Sequence, residues 1–416
     1  MSKFVKIMVA LLAIAVFAAP AIAEDRLGLS GQMRVLFNYT DAGGDETNSF
    51  LSQRLRVGGK FSIADGVSVT FRTDWTESNW GSGNTYGSGR MANDSNGNLQ
   101  WDRAHLDLDF DSFALRAGQQ YVEFGKGVSL SSQSNGFKAT IKGAVPVTLF
   151  FMLQDDNNVS ASPEHYAIDN DEDSATYGDL VLIDEVSSSN NSDAYFFGGN
   201  VAHKTDMYAA NVFFGGQKDG ADEDVYMVGV DTVFNMDALK LTAEIDYFTG
   251  DAAADVDAVG LQGFVDAAFA ASEMMTFGGQ FYYAQGADAD EVQYEVLGND
   301  FGFWDPLNAI GVGLDNVKET GPRPYQALGA NAGIIALRGY AKVKVNDATT
   351  LGASIAYLEP EDDDMTDADS GMFLAAGVAY KVMANTTFKA QVAYEDVDQD
   401  DKDEVLKLHT GLFVNF

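Results

Sequence analysis

The amino-acid sequence predicts an all-β fold: a transmembrane, antiparallel, up-and-down β-barrel of about 18 strands, with 16 as the alternative count. Three features predict it. The chain opens with a secretory leader, the remainder alternates apolar and polar residues with period two, and short connections alternate with long ones.

Lys3 and Lys6 make a positive start, Ile7 to Ala19 is an almost unbroken apolar run, and Ala21-Ile22-Ala23 offers small residues where a signal peptidase cuts. The run falls well short of the ~20 residues a spanning helix requires. Residues 1–23 therefore read as a signal peptide and 24–416 as a single barrel domain, whose first strand starts around Leu27 and leaves no room for a periplasmic module. Cleavage leaves 393 residues with a net charge of −38. Such a surface repels nucleic acid, because that binding rests on neutralising phosphates. No later stretch approaches ~18 consecutive apolar residues, so helical spans are excluded and a closed barrel is the membrane-compatible option. Cysteine is absent, which removes thiolate zinc sites, iron–sulfur clusters and c-type haem attachment.

The mature chain reads as strand after strand. Val67 to Arg72, Leu239 to Tyr247 and Phe388 to Tyr394 each place apolar residues on one face and polar residues on the other. Short turns are expected at Ala64-Asp65-Gly66, Asp111-Ser112, Val145-Pro146, Lys204-Thr205, Met236-Asp237, Ala271-Ser272, Asn346-Asp347 and Ala384-Asn385. Longer, mostly acidic connections fall near 40–49, 77–98, 125–135, 155–192, 217–224, 250–256, 286–330, 359–369 and 397–403. Eight turns interleaved with nine loops imply 18 strands with both termini at the short-turn end, the asymmetry of outer-membrane barrels. Aromatics gather near strand ends, among them Phe37, Tyr39, Trp75, Trp101, Tyr121, Tyr247, Tyr283, Tyr357, Tyr380 and Tyr394, as interfacial girdles require.

The C-terminal Thr410-Gly411-Leu412-Phe413-Val414-Asn415-Phe416 resembles the assembly signal of Gram-negative outer-membrane proteins, with Thr410, Gly411, Val414 and Phe416 at its defining positions. Leu408, Thr410, Leu412, Val414 and Phe416 share the outward face of a final strand, whose edge a barrel-assembly machinery can bind by strand addition. Phe113 to Tyr121, followed by Phe124-Gly125-Lys126-Gly127, looks like the Gly-Arg-Gln strand of proteobacterial porins and of 18-stranded alginate-export-like barrels, with Gln119 where those often carry Arg. The chain thus resembles the Gram-negative outer-membrane porin superfamily over essentially all of 24–416. The resemblance implies a cell outer-membrane location and contact with lipid and lipopolysaccharide. It also implies either a homotrimer passing ions and small polar solutes or, on the alginate-export side, a monomer.

A barrel of 16–18 strands is too wide for side chains to fill and leaves an aqueous lumen. If Leu55, Val57, Phe61 and Ile63 face lipid, then Arg54, Arg56 and Lys60 face the lumen. Arg34 on strand one, Arg72 on strand three, Arg103 with His105 on strand four and Arg116 on strand five join them as a pore-lining basic wall. Asp231, Glu244, Asp246 and Asp266, on strands ten to twelve, are expected to line the pore opposite. Two roles stay open for the arginines: a transverse field at a constriction, or clamps that hold loop carboxylates. The third external connection, Gly125 to Asn135, is short and uncharged after Lys126, which makes 155–192 the better candidate for narrowing the lumen.

The acidic runs 169–173 and 396–400 lack the Gly and Glu of a calcium-binding loop: the first has Ser174 and Leu180 at those positions, the second Asp401 and Lys407. They read as solvated surface charge, and neither a metal nor a cofactor is expected. The four histidines, His105, His165, His203 and His409, form no legible nucleophile grouping, and Gly81-Ser82-Gly83 lacks the Lys-Ser/Thr of a phosphate loop, so no enzymatic activity is expected. The expected function is a water-filled channel for passive diffusion of ions and small hydrophilic solutes, its acidic mouth preferring cations. The alternatives are a substrate-specific channel for a sugar, oligosaccharide or acidic polymer, and a surface adhesin or structural barrel.

Overall fold

The computed structural model describes residues 26–43, 47–80, 100–155, 165–168, 180–184, 194–219, 223–288, 290–298, 306–314, 327–329, 331–399 and 402–416. The leader, the acidic run at 169–173 and Gly81 to Gly83 lie outside them, as does part of the run at 396–400. In chain order the strands are β1 (Leu27–Asp41), β2 (Thr47–Ala64), β3 (Val67–Asn79), β4 (Gln100–Asp109), β5 (Phe113–Phe124), β6 (Leu130–Ile141) and β7 (Val147–Asp155). There follow β8 (His165–Ile168), β9 (Leu180–Asp184), β10 (Ala194–Lys204), β11 (Tyr208–Asp219), β12 (Glu223–Met236), β13 (Leu239–Ala253), β14 (Val256–Ser272) and β15 (Met275–Ala284). The chain finishes with β16 (Glu291–Gln293), β17 (Leu297–Gly298), β18 (Ile334–Lys344), β19 (Thr349–Glu359), β20 (Ala368–Met383), β21 (Thr386–Gln399) and β22 (Val405–Asn415).

Eighteen of these strands, all but β8, β9, β16 and β17, pair antiparallel with their neighbours into one ring. The ring closes where β1 pairs β22, from Gln32 opposite Asn415 to Asp41 opposite Leu406. β7 pairs directly with β10, and β15 with β18, so the intervening segments leave the wall. Closure matters because hydrocarbon offers no hydrogen-bond partner to an open edge. Among the described residues no helix is long and apolar enough to cross a membrane; the crossing is made by strands.

Alternation sorts the side chains. On β13, Thr242, Glu244, Asp246 and Phe248 are buried while Ile245 and Tyr247 are exposed. On β22, Leu406, Leu408 and Leu412 face out and His409 faces in. The outer surface carries exposed Phe151, Phe214, Val228, Ile245, Leu337, Ile355 and many similar residues. Facing water, such a band would be an aggregation hazard; facing lipid, it is the surface the hydrophobic effect requires.

Seven of the eight short turns fall where the alternation predicts them. The turn expected at Ala271-Ser272 lies two residues later, at Glu273-Met274, because β14 runs on to Ser272. At the opposite end, the loop expected over 250–256 is a two-residue turn, Ala254-Asp255, with Asp255 at φ 60°. The polar residues there belong to the long strands β13 and β14.

The terminal residue completes the seam. Phe416 N–H donates to the Gly31 carbonyl at 3.0 Å and Gly31 N–H to the Phe416 carbonyl at 2.7 Å. The Phe416 ring lies over Gly31, where any Cβ would overlap it. An aromatic ring shielding a bare glycine backbone is a recognised way to hold strand register. Deleting Phe416 removes both hydrogen bonds and the ring, a loss of about 2 kcal/mol or more at the seam. The expected result is a lower yield of heat-modifiable barrel on unboiled gels, with Phe416→Tyr close to the parent.

Candidate lumen site

The interior is not an open cylinder. Two connections turn inward and pack against the wall. The first is the short one after β5. Gly125 and Gly127 take φ of 67° and 73°, a left-handed conformation that reverses the chain on either side of Lys126. This reversal throws Lys126 across the lumen, where its ammonium pairs with Asp231 on β12. The Lys126 backbone N–H donates to Glu244 Oε2 at 2.5 Å, and Ser129 Oγ donates to Glu244 Oε1 at 3.0 Å. Asn211 Nδ2 donates to the second Asp231 oxygen at 2.8 Å. A Cβ at position 125 would collide with the Glu244 carboxylate, so the approach needs glycine.

The second inserted segment follows β15. β16 pairs parallel with the end of β14 that β15 leaves unpaired, Asp257 opposite Glu291, and Tyr294 N–H donates to the Val259 carbonyl at 2.7 Å. Gln262 Nε2 donates to the Glu295 carbonyl at 2.6 Å, and Tyr294 Oη to Glu223 at 2.6 Å. β17 then pairs parallel with β6 at Leu130, while Leu297 N–H donates to the Ser129 carbonyl at 2.8 Å. The two insertions therefore join into one layer inside the ring. Farther on, a helical turn at Pro306–Ala309 leads Leu307, Val312 and Leu314 against Leu36, Ala375 and Ala393. Lys389 Nζ donates to the Gly313 carbonyl at 2.9 Å and Leu314 N–H to Gln391 at 2.8 Å.

This layer explains why inward positions on β10–β15 are so apolar. Phe196, Phe213, Phe248, Phe264 and Tyr282 all point into the barrel, and each is at most 2% exposed. Burying each contributes roughly 1.5–3 kcal/mol relative to wetting it.

Every acid expected on the inner face of strands ten to twelve is on that face, yet none borders open water. Asp231, Glu244 and Asp246 are 0%, 3% and 1% exposed beneath the first two insertions. Asp266 receives the Tyr340 hydroxyl at 3.1 and 3.2 Å and is likewise covered. The acids anchor loops and a neighbouring strand instead of forming the far wall of a passage. The narrowing assigned to 155–192 lies largely outside the described residues, where β8 and β9 pair only with each other. Among the described residues, the insertion comes from 125–131 and 286–333.

The basic residues behave differently. Arg34 pairs opposite Arg54, and Arg54 Nη2 donates to Gln32 at 3.3 Å. Arg56 forms a two-pronged pair with Asp74, at 2.6 and 2.7 Å, and lies 3.6 Å from Asp102. Arg72 also pairs with Asp102, as does Arg103 at 3.2 Å, and Arg103 sits 4.9 Å from the Tyr121 ring. Arg116 holds Asp107 at 2.6 Å, and His105 Nδ1 lies 3.3 Å from the same carboxylate. Among the described residues, the carboxylates that hold these guanidinium groups belong to the wall strands β3 and β4. Lys60, Arg116, Lys138, Thr140, Ser68 and Asp107 line a 490 Å³ cavity at the short-turn end. Arg56, Arg72, Arg103 and Arg116 keep 21–36% of their side chains exposed, so water reaches this side of the interior.

Three members of this strip escape sequence reading to different degrees. Lys138 pairs opposite Arg116 and follows from alternation through Phe137-Lys138-Ala139. Asp74 shares the parity of Arg72. Asp102 does not share that of Arg103: a register shift opposite Arg72/Thr73 turns it inward, and single-strand alternation assigns it to lipid. The terminal residues Thr410, Gly411, Val414 and Phe416 lie at the seam, with Thr410 opposite Phe37 and Gly411 opposite Leu36.

Removing Asp231 would strand the Lys126 ammonium in the interior, at a cost of about 3 kcal/mol. Asp231→Ala in detergent micelles is expected to unfold at lower urea concentration than the parent while still migrating as a folded barrel. An unchanged midpoint would show that Lys126 does not hold the insertion.

No family model matches this chain, and no curated protein does either. Solved structures do. Pseudomonas aeruginosa OccK9 (OpdG) superposes with a TM-score of 0.60 at 14% identity, covering 94% of this chain and 98% of its own. Acinetobacter baumannii OccAB1 gives 0.58 at 13%, over 96% and 98%. Pseudomonas aeruginosa OpdK, solved with vanillate, gives 0.57 at 9%, over 94% and 99%. At these identities the likeness is one of fold: the chain folds as a closed 18-stranded barrel of the kind these outer-membrane proteins share.

Proposed function

We propose that this protein is a diffusion channel of the Gram-negative outer membrane, with a narrowed passage along its basic strip that favours small polar solutes carrying negative charge. One observation carries the reading. Among the described residues, the inserted segments pack on β10 to β15 and, farther on, on β18 to β21 and β1, while the arginine and lysine side on β2 to β6 keeps part of its side chains in water. Oriented cations beside a narrow aqueous path lower the cost of admitting an anion, whereas a neutral apolar solute gains nothing from them.

Among the described residues, Asp74, Asp102 and Asp107 share the strip with Arg54, Arg56, Lys60, Arg72, Arg103, Arg116 and Lys138. Those carboxylates hold the guanidinium groups in place, so an entering anion meets oriented donors instead of mobile ones. Passage is passive, down the solute's own gradient. A barrel of similar fold was solved with vanillate, an aromatic carboxylate, a solute of the class this strip suits. The acidic exterior remains a cation-attracting surface, so selectivity is set inside the lumen and not at the mouth.

Purified protein in a planar bilayer should show discrete conductance steps, and benzoate should block them more strongly than benzyl alcohol of the same size. Combining Arg116→Ala with Lys138→Ala should weaken benzoate block about tenfold, equivalent to ~1.4 kcal/mol. Equal block by the charged and neutral solutes would remove the selectivity, and the absence of any conductance would remove the channel. Lys126→Ala, which releases the first insertion, should raise single-channel conductance and blunt the discrimination between the two solutes.

A further inference from the structure

The charges of the wall are sorted along the barrel axis as well as around it. Near the short-turn end, the inward positions carry lysine on strands distributed around the ring: Lys60 on β2, Lys138 on β6, Lys204 on β10, Lys240 on β13, Lys342 on β18 and Lys381 on β20. Lys60 and Lys138 line the interior cavity, and Lys204, Lys240, Lys342 and Lys381 share the inward parity of Phe196, Glu244, Arg338 and Phe373. Lys60 is opposite Thr70, Lys240 opposite Asn235 and Ala268, Lys342 opposite Thr276 and Gly352, and Lys381 opposite Thr387. Near the long-loop end the acids are Glu223 on the inward parity of β12, Asp251, Asp257 and Asp396 on the outward parity of β13, β14 and β21, and Glu361 and Asp403 in the connections after β19 and β21. Among the described residues of strands β11, β12, β21 and β22 and their connections, the lysines at that end are Lys218, Lys402 and Lys407, and Lys218 and Lys407 are paired with Asp224 and Glu395.

The two zones are far enough apart to act separately. Lys240 and Asp251 stand 11 residues apart on β13. That is about 36 Å along a strand and roughly 25 Å along the axis at a 45° tilt. The screening length at 0.15 M is ~8 Å. Acids do occur at the short turns, among them Asp65, Asp111, Asp206, Asp237 and Asp347, and Lys344 holds Asp347 at 3.0 Å. These lie on the turn tips beyond the strand ends, and the inward acids of this end, Asp107 and Asp109 on β4, are paired with Arg116 and Lys142, whereas the lysine collar faces into the lumen.

We infer that the channel is electrically polar along its axis, with an anion-gathering collar at the periplasmic mouth and a cation-gathering rim outside, and that it therefore rectifies ionic current. The inference rests on the channel reading above. When the loop side is positive, cations enter through the acidic rim and anions through the lysine collar, and both accumulate in the middle. With the opposite polarity each zone excludes the ion driven into it, the middle is depleted, and current falls. Fixed charges of opposite sign in series act this way whatever solute the channel serves.

Single channels recorded in symmetric 0.1 M KCl test it. The barrel has no cysteine, so a biotinylated Asp403→Cys, blocked by streptavidin from one chamber, reports which way each channel has inserted. Current should be about twofold greater with the loop side positive, and the asymmetry should shrink at 1 M KCl, where screening shortens to ~3 Å. Lys204→Gln, Lys240→Gln and Lys342→Gln together should lower the ratio toward one while conductance persists. A linear current–voltage relation in the parent protein at 0.1 M, or rectification of the opposite sign, would overturn the inference and leave the channel standing. Absence of conductance would instead overturn the channel reading itself. The salt dependence of the parent decides the matter even if the triple variant does not assemble.

Discussion

Inside hydrocarbon, a peptide N–H or C=O without a partner costs several kcal/mol, and this chain meets that constraint with a ring of strands that has no edge. The seam between β1 and β22 is where the ring succeeds or fails, because every other pairing joins segments that are near in sequence or bridged by one excursion. Closure then dictates the two-faced chemistry of each strand. Once every backbone group is paired laterally, side chains can only point out toward lipid or in toward the lumen.

The interior solves a second problem that closure creates. A ring of this size leaves a space that side chains cannot fill, and water there would wet Phe196, Phe213, Phe248 and Phe264. The two inserted connections supply the missing apolar partners. Buried carboxylates supply their attachment points: Asp231 meets an ammonium, and Glu244 meets a backbone amide and a hydroxyl. The acids that anchor the first insertion lie on β12 and β13, and the second insertion continues over apolar inward positions of β18 to β21 and β1. Water is consequently left to the strands that carry arginine, and the asymmetry of packing becomes an asymmetry of charge in the passage.

Much of this was legible in the chain. Regular alternation with short and long connections in turn yields the strand number, the parity that places Arg54, Arg56 and Arg72 inside, and the seam at Phe416. The strand-level placement of Asp231, Glu244 and Asp246 was legible too, but not what covers them. Lys126 reads as one cation in a short glycine-flanked loop, and nothing local shows that it reaches a carboxylate 105 positions later. A signal did exist for the inserted layer: β10 and β11 carry apolar residues on both faces, as in Phe196-Phe197 and Phe213-Phe214, which a simple water-filled lumen does not explain. Asp102 carried no such signal, since one extra residue in β4 reverses its face without a mark in the local pattern.

The sequence by itself determined that the chain crosses a membrane as a closed sheet, because period-two alternation over so many segments has lipid on one side and another environment on the other. It also determined which residues share a face, since parity is a local property of extended backbone. Only the tertiary structure decided which inward residues meet water and which meet protein. That choice depends on where two connections fold back, and their contacts join residues far apart along the chain through geometry that no stretch of sequence encodes alone.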